Sequence, residues 1–136
     1  GILYNGAEGV IRMNPALGAM KWLIPDCFYP PTDSPGQYVS HEAICVLNTG
    51  VREARLRLTL YFEDQEPRRF LSARCAGERT AHIRLDRLRD GAGRGIPRGV
   101  PYALLVESDV PVVVQYSRLD TAQAELALMT AMAHPI

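Results

Sequence analysis

Ala54-Arg55-Leu56-Arg57-Leu58-Thr59-Leu60-Tyr61-Phe62 decides the fold of this chain. Ala54, Leu56, Leu58, Leu60 and Phe62 fall on one phase of a two-residue period, and Arg55, Arg57, Thr59 and Tyr61 fall on the other. That is the pattern of a half-buried strand with one wet face. On a helix, whose apolar stripe recurs at spacings of three and four, the same residues would scatter around the cylinder. Upstream, Ala43 to Leu47 is an apolar run too short for a helix, and Asn48-Thr49-Gly50 supplies turn residues. Together the two runs predict a hairpin from Ala43 to Phe62.

Working outward, Trp22-Leu23-Ile24 reads as a short strand that Pro25 ends or holds at an edge. The prolines of Tyr29 to Gly36 fix φ and remove donors, so this stretch is a long turn. Asp64-Gln65-Glu66-Pro67 is a second turn, Phe70 to Ala73 a strand, Gly77 a break, and Ala81, Ile83 and Leu85 alternate as another strand. Gly91 to Pro101 is a loop. Tyr102 to Glu107 and Val110 to Val114, extended by Gln115 and Tyr116, read as two strands around Ser108-Asp109, with Pro111 tolerated near the start of the second. For residues 122–133, alanine and leucine favour a helix while the length permits a strand, and both readings stay open. Evenly spaced short strands with turn residues between them predict an all-β, single-domain antiparallel β-sandwich of jelly-roll type.

The chain has 136 residues, enough for one domain with a real core. Residues 21–136 form that domain. Residues 1–20 read as an N-terminal extension, loosely ordered, lent to a neighbouring subunit, or partly a remnant of cloning, since Gly1 rather than methionine opens the sequence. Met13 and Met20 are both conceivable starts. Fifteen basic and fifteen acidic residues cancel, and Lys21 is the only lysine. Binding to duplex nucleic acid by bulk charge is therefore disfavoured. No stretch approaches a membrane span, and no basic region precedes an apolar signal segment. Cys27, Cys45 and Cys75 are odd in number and widely spaced, which fits a reducing cytoplasm and no disulfide framework.

Two polar stretches flank the core strands: Ser40-His41-Glu42 and Gln115-Tyr116-Ser117-Arg118-Leu119-Asp120. A charge at the end of a buried strand needs a partner or a ligand. Ser40, His41 and Glu42 cannot converge as a nucleophile triad, because neighbours on a strand point to opposite faces. His41 shares a face with Ala43, Cys45 and Leu47; Ser40 and Glu42 share the other with Ile44 and Val46. The plain reading is a buried, hydrogen-bonded histidine and a structural acid. The sharper one pairs Glu42 with Arg118, whose fork suits a carboxylate or vicinal hydroxyls, with Asp120 on the same face. Trp22 and Tyr116 have faces on which a sugar ring stacks, although core packing is the simpler role for both. His41, His82 and His134 lie far apart in sequence and none pairs with a cysteine at ligand spacing, so no metal is expected. Gly91-Ala92-Gly93-Arg94-Gly95 lacks the helix a dinucleotide loop requires, and no nucleophile elbow or phosphate loop occurs.

Read in order, Trp22, Ile24-Pro25, Pro30-Pro31, Ser40-His41-Glu42, Cys45 to Gly50, Tyr61, Asp64, Glu66-Pro67, Arg79-Thr80, His82, Val110 to Gln115, Arg118-Leu119-Asp120 and Gln123-Ala124-Glu125 carry a family signal. From Lys21 to Ala133 the chain resembles the sensory rhodopsin transducer family, the small soluble transducer of cyanobacterial sensory rhodopsin and its bacterial relatives. The resemblance implies a β-sandwich that assembles as a homotetramer, has no catalytic residues and needs no cofactor. It also implies a receptor protein as partner for the namesake, and sugar or small-metabolite binding for relatives without one. Residues 1–20 and the Arg89 to Arg98 loop depart from the pattern, so partner identity does not transfer. The reading that follows is a non-enzymatic cytoplasmic module. It recognises a small polar ligand such as a carbohydrate through Trp22, His41, Glu42, Tyr116, Arg118 and Asp120. The alternatives are a protein-interaction transducer docking on a receptor or regulator and, as a lesser reading, a hydrolase using His41 or Glu42.

Overall fold

A computed structural model describes residues 2–5, 10–13 and 15–136, with 2–5, 10–13 and 70 described by backbone alone. The strands are β1 (Ile2–Asn5), β2 (Val10–Met13), β3 (Ala19–Cys27), β4 (His41–Asn48), β5 (Ala54–Phe62), β6 (Arg68–Cys75), β7 (Arg79–Arg84), β8 (Tyr102–Asp120), β9 (Ala127–Met132) and β10 (His134–Pro135). A 3-10 turn at Leu85–Arg87 follows β7, and the described residues contain no α-helix. The all-β expectation holds, and residues 127–132 resolve the C-terminal ambiguity as a strand. Within the N-terminal extension, β1 and β2 pair antiparallel with Ile2 opposite Met13. The expectation of loose order there falls partly on residues 1, 6–9 and 14, which lie outside the described residues. Ala19 and Met20 belong to β3 of the sandwich.

All ladders are antiparallel; β1 and β2 form a sheet of their own, and β3 to β10 form two sheets that share β8. In the first, β8 runs between β3 and β5 from Tyr102 to Ser108, with β10 beyond β3 and β6 beyond β5. In the second, β8 runs between β9 and β4 from Val113 to Asp120, with β7 beyond β4. The sequence suggests a break at Ser108-Asp109, but none occurs. Tyr102, Leu104, Val106, Ser108, Val110, Val112, Val114 and Tyr116 hold one unbroken inward phase. Polar residues at the changeover are satisfied locally: Ser108 Oγ accepts from Val110 N at 3.3 Å, and Asp109 Oδ1 accepts from Arg55 N at 2.8 Å. Pro111 lies between the end of the β5 ladder and the start of the β4 ladder, where its missing donor is not needed.

The hairpin expected from Ala43 to Phe62 is corrected in the same way. β4 pairs with β7 and β8, while β5 pairs with β6 and β8, so residues 49–53 cross between sheets. Buried Asn48 clips the crossing: its Nδ2 donates to Arg52 O (2.7 Å), Cys75 O (3.2 Å) and Ala76 O (3.3 Å), and its Oδ1 accepts from Gly50 N (3.0 Å). A side-chain amide that satisfies four backbone groups does work that a turn hydrogen bond would otherwise do. β3 extends past Pro25, which sits inside a register shift between Ile24 and Cys27.

One core fills the space between the sheets. Leu56, Leu58 and Leu60 from β5, Ile44 and Val46 from β4, and Leu104, Val106, Val112 and Val114 from β8 are its centre. Each fully buried leucine of this kind contributes about 1.5–3 kcal/mol relative to exposure. The alternation in β5 is as read from the sequence, except that Thr59 is also covered.

Candidate functional site

The even positions of β4 face the core, which carries Glu42 inward with Ile44 and Val46 and leaves it 1% exposed. Three donors meet its carboxylate. Tyr102 OH donates to Oε1 at 2.7 Å, Phe28 N donates to Oε2 at 3.0 Å, and Tyr116 OH donates to the same Oε2. Phe28 N also approaches Tyr116 OH at 3.4 Å. Burial pushes the Glu42 carboxyl above its ordinary range, and the hydrogen bonds from Tyr116, Tyr102 and Phe28, together with the charge of Arg118, oppose part of that rise. Desolvation, reinforced by the neighbouring carboxylate, raises both phenols and the Cys27 thiol well above their ordinary values. All three stay protonated and act as donors or packing groups.

Arg118 stands opposite Glu42 in the β4–β8 ladder, yet the two form no ion pair. The guanidinium turns toward β9, where Nη2 meets Met129 Sδ at 3.5 Å, and Nη1 is buried with no hydrogen-bond partner among the described residues. Asp120 is occupied with Ala122 N at 2.8 Å. His41 lies on the outer face, half-buried, its Nδ1 at 3.0 Å from Val39 O, so the buried polar group here is the acid and the histidine is outside. Trp22 is buried elsewhere in the core, donating from Nε1 to Ala19 O and Val112 O, each at 3.0 Å. Neither Trp22 nor Tyr116 presents a ring face to solvent.

Residues 28–40 are tied down beside this cluster. Arg98 donates from Nε to Pro30 O and from Nη2 to Asp33 Oδ1, both at 2.9 Å, and its guanidinium lies 4.6 Å from the Tyr29 ring centroid. The Arg98 fork and the Ser40 amide hold the Asp33 carboxyl below its ordinary range. Ser40 is buried between Asp33, Thr32 and Thr121: its N–H donates to Asp33 Oδ1 at 2.6 Å and its hydroxyl to Thr32 O at 3.0 Å. Thr121 N in turn donates to Ser40 Oγ at 2.9 Å. Thus Glu42, Tyr116, Arg118, Asp120 and His41 collect at one end of the second sheet, and Trp22 does not join them.

Sequence reasoning missed Tyr102, Phe28 and Cys27. Tyr102 shares the inward phase of Tyr116 along β8, a signal visible once the strand is read as continuous. A groove of about 310 Å³ lined by Pro25, Asp26, Tyr61, Phe62, Pro101 and Tyr102 abuts the cluster through Tyr102. A larger open groove of about 490 Å³ around Phe62, Arg68 and Arg94 shares no residue with the Glu42 cluster. Among the described residues, no group of three or more His, Cys, Asp or Glu side chains is placed to hold a metal ion. No helix among them is long and apolar enough to cross a membrane.

Two antiparallel sheets sharing one long strand, closed at one end by a buried carboxylate, place the protein in a defined class of small β-sandwich domains. The chain belongs to the Anabaena sensory rhodopsin transducer family, whose sequence profile matches residues 17–135. A crystal structure of Thermotoga maritima 1070 is 39% identical, with a TM-score of 0.77, covering 88% of this chain and 96% of that one. The Anabaena sensory rhodopsin transducer itself is 34% identical, with a TM-score of 0.67, covering 79% of this chain and 94% of that one. Among proteins of curated function, none is significantly similar in sequence.

Proposed function

We propose that this protein is a non-enzymatic cytoplasmic signalling module that works by docking on a receptor or regulator protein, as a homotetramer. The observation that carries the reading is the apolar end of the second sheet. Tyr38, Val39, Leu126 and Leu128 are exposed there, Leu128 by 73%, around the half-buried His41 and Leu119. Apolar surface of this kind beside an ordered polar network marks a contact site on a soluble domain. Family membership supports it, since one solved relative is by name a transducer of a sensory rhodopsin. The Glu42 cluster, with both carboxylate oxygens accepting from protein donors, fits a structural support for that end and offers no reacting group to a substrate.

The test is site-specific photo-crosslinking in the native host, with the reactive side chain at Leu128 or, as a control, at Arg57 on the other sheet. Adducts from position 128 at masses other than multiples of the chain support a distinct protein partner. Adducts only at such multiples mean that this end closes on other copies and reject the docking reading.

A small polar ligand such as a carbohydrate is the second reading, favoured by the buried Arg118 Nη1, which has no hydrogen-bond partner among the described residues. Trp22 and Tyr116 give it no stacking platform in this conformation. A melting-temperature rise with a sugar or sugar acid, lost in Arg118→Ala, would move the assignment there.

A further inference from the structure

Across the middle of the second sheet's outer face, Cys45 of β4 stands directly opposite His82 of β7. Neither belongs to the site above. We propose that Cys45 and His82 are half of a zinc site, completed by the same two residues from a second copy of this chain.

The face is fixed by alternation. Glu42, Ile44 and Val46 point inward, as do Ala81 and Ile83, so Cys45 and His82 both point outward. Directly opposite residues of an antiparallel pair have Cβ atoms about 4.5–5.5 Å apart. One ion with Zn–S near 2.3 Å and Zn–N near 2.0 Å spans that gap. Cys45 is a free thiol and half-buried, and His82 is exposed. Neither side chain has a hydrogen-bond partner among the described residues. The other thiols differ: Cys75 Sγ lies 3.3 Å from Arg79 O, and Cys27 Sγ lies 3.8 Å from Ile24 O, both fully covered.

The surroundings select the metal and the partner. The outward strand positions of this face are Leu47, Ala43 and His41 on β4, Thr80 and Arg84 on β7, Val113, Gln115, Ser117 and Leu119 on β8, and Leu128, Thr130 and Met132 on β9. None is a carboxylate, so a hard cation finds no ligands, whereas thiolate and imidazole suit zinc. Two ligands are too few for a closed tetrahedral site, and one chain supplies no third. Under a two-fold axis a second copy supplies an identical pair, giving Cys2His2. The same contact covers exposed Leu47 and Met132, which are 44% and 61% exposed on the single chain. Binding exchanges each thiol proton for a Zn–S bond, so two protons pass to the buffer per ion.

Untagged, reduced protein titrated with Co²⁺ tests this. The expected result is a thiolate-to-cobalt charge-transfer band with intense tetrahedral ligand-field bands, saturating at one metal per two chains and bleached by Zn²⁺. Cys45→Ser and His82→Ala each abolish it; His134→Ala, at an exposed histidine of β10, leaves it intact. Saturation at one metal per chain, a band that survives Cys45→Ser, or no thiolate band at all overturns the proposal. The result is independent of whether Leu128 docks on another protein.

Discussion

Tyr116 hydrogen-bonds Glu42 from two residues before Arg118, the residue that stands opposite Glu42 in the ladder. The acid is therefore held by neutral phenols, while the cation beside it faces away. A buried carboxylate solvated by hydroxyls and an amide avoids the geometric demands of a buried ion pair.

Removing the acceptor should cost more than removing a donor. Glu42→Leu strands two phenols and the Phe28 amide and is expected to lower stability by about 3 kcal/mol, against about 1 kcal/mol for Tyr116→Phe. Urea unfolding of the two variants checks the order. Equal losses would mean the phenols find other acceptors.

The pH dependence has a definite sign. Glu42 titrates higher in the folded chain than its ordinary 4.5, so the folded state binds its proton more readily than the unfolded one. Its contribution to stability is complete below about pH 4.5 and is lost as pH rises through the folded value. Asp86 acts oppositely: burial raises its carboxyl, but the Arg84 fork at 2.8 and 2.9 Å outweighs this and holds it low. Subtracting the Glu42→Gln profile isolates the first effect. The wild-type-minus-variant stability should fall from pH 4.5 upward; a difference that rises with pH would refute the assignment.

Arg98→Ala should loosen residues 28–40 without unfolding the sandwich. The Asp33–Arg98 pair is about one-third exposed, so screening leaves it little, and the loss of the Pro30 bond and the Tyr29 contact brings the total to about 1 kcal/mol. Amide exchange at Ser34 and Ser40 should quicken severalfold, while amides of β5 stay protected. Unchanged exchange at Ser40 would show that Asp33 holds the segment alone.

Gly18→Ala should be among the most damaging small changes in the chain. Gly18 has φ +113°, and a Cβ there would lie 2.0 Å from Val112 O, in backbone that cannot retreat without opening the β3–β8 ladder. A loss of about 3 kcal/mol is expected, whereas Gly91→Ala, with open space around it, should change stability by less than about 0.5 kcal/mol. Thermal unfolding of the pair decides it.

The sheet class was readable because β5 alternates over its full length and Val110 to Val114 could only be buried. Connectivity was not. Asn48-Thr49-Gly50 has hairpin composition, and nothing local reveals that the Asn48 amide satisfies carbonyls near residue 75. Ser108-Asp109 looks like a turn because its polar atoms are satisfied only by the folded neighbourhood. That reading split β8 and hid the shared phase of Tyr102 and Tyr116. At the site, strand alternation put Glu42 on one face with Ile44 and Val46 and His41 on the other, but it did not say which face is inward, and the buried histidine it suggested lies on the outer face. The turn of Arg118 toward Met129 depended on β9, whose identity as a strand the sequence left open. Trp22 carried its aromatic type but no sign that backbone carbonyls at Ala19 and Val112 already engage its N–H.

Because β8 serves both sheets along one uninterrupted run of 19 residues, the molecule has no seam. A nick near Val110 would sever every layer at once, whereas one in the glycine-rich stretch before Tyr102 would leave each ladder whole. Neither sheet can be lifted out as a module without cutting the strand it shares with the other, and an extra residue inside β8 would shift the register of both.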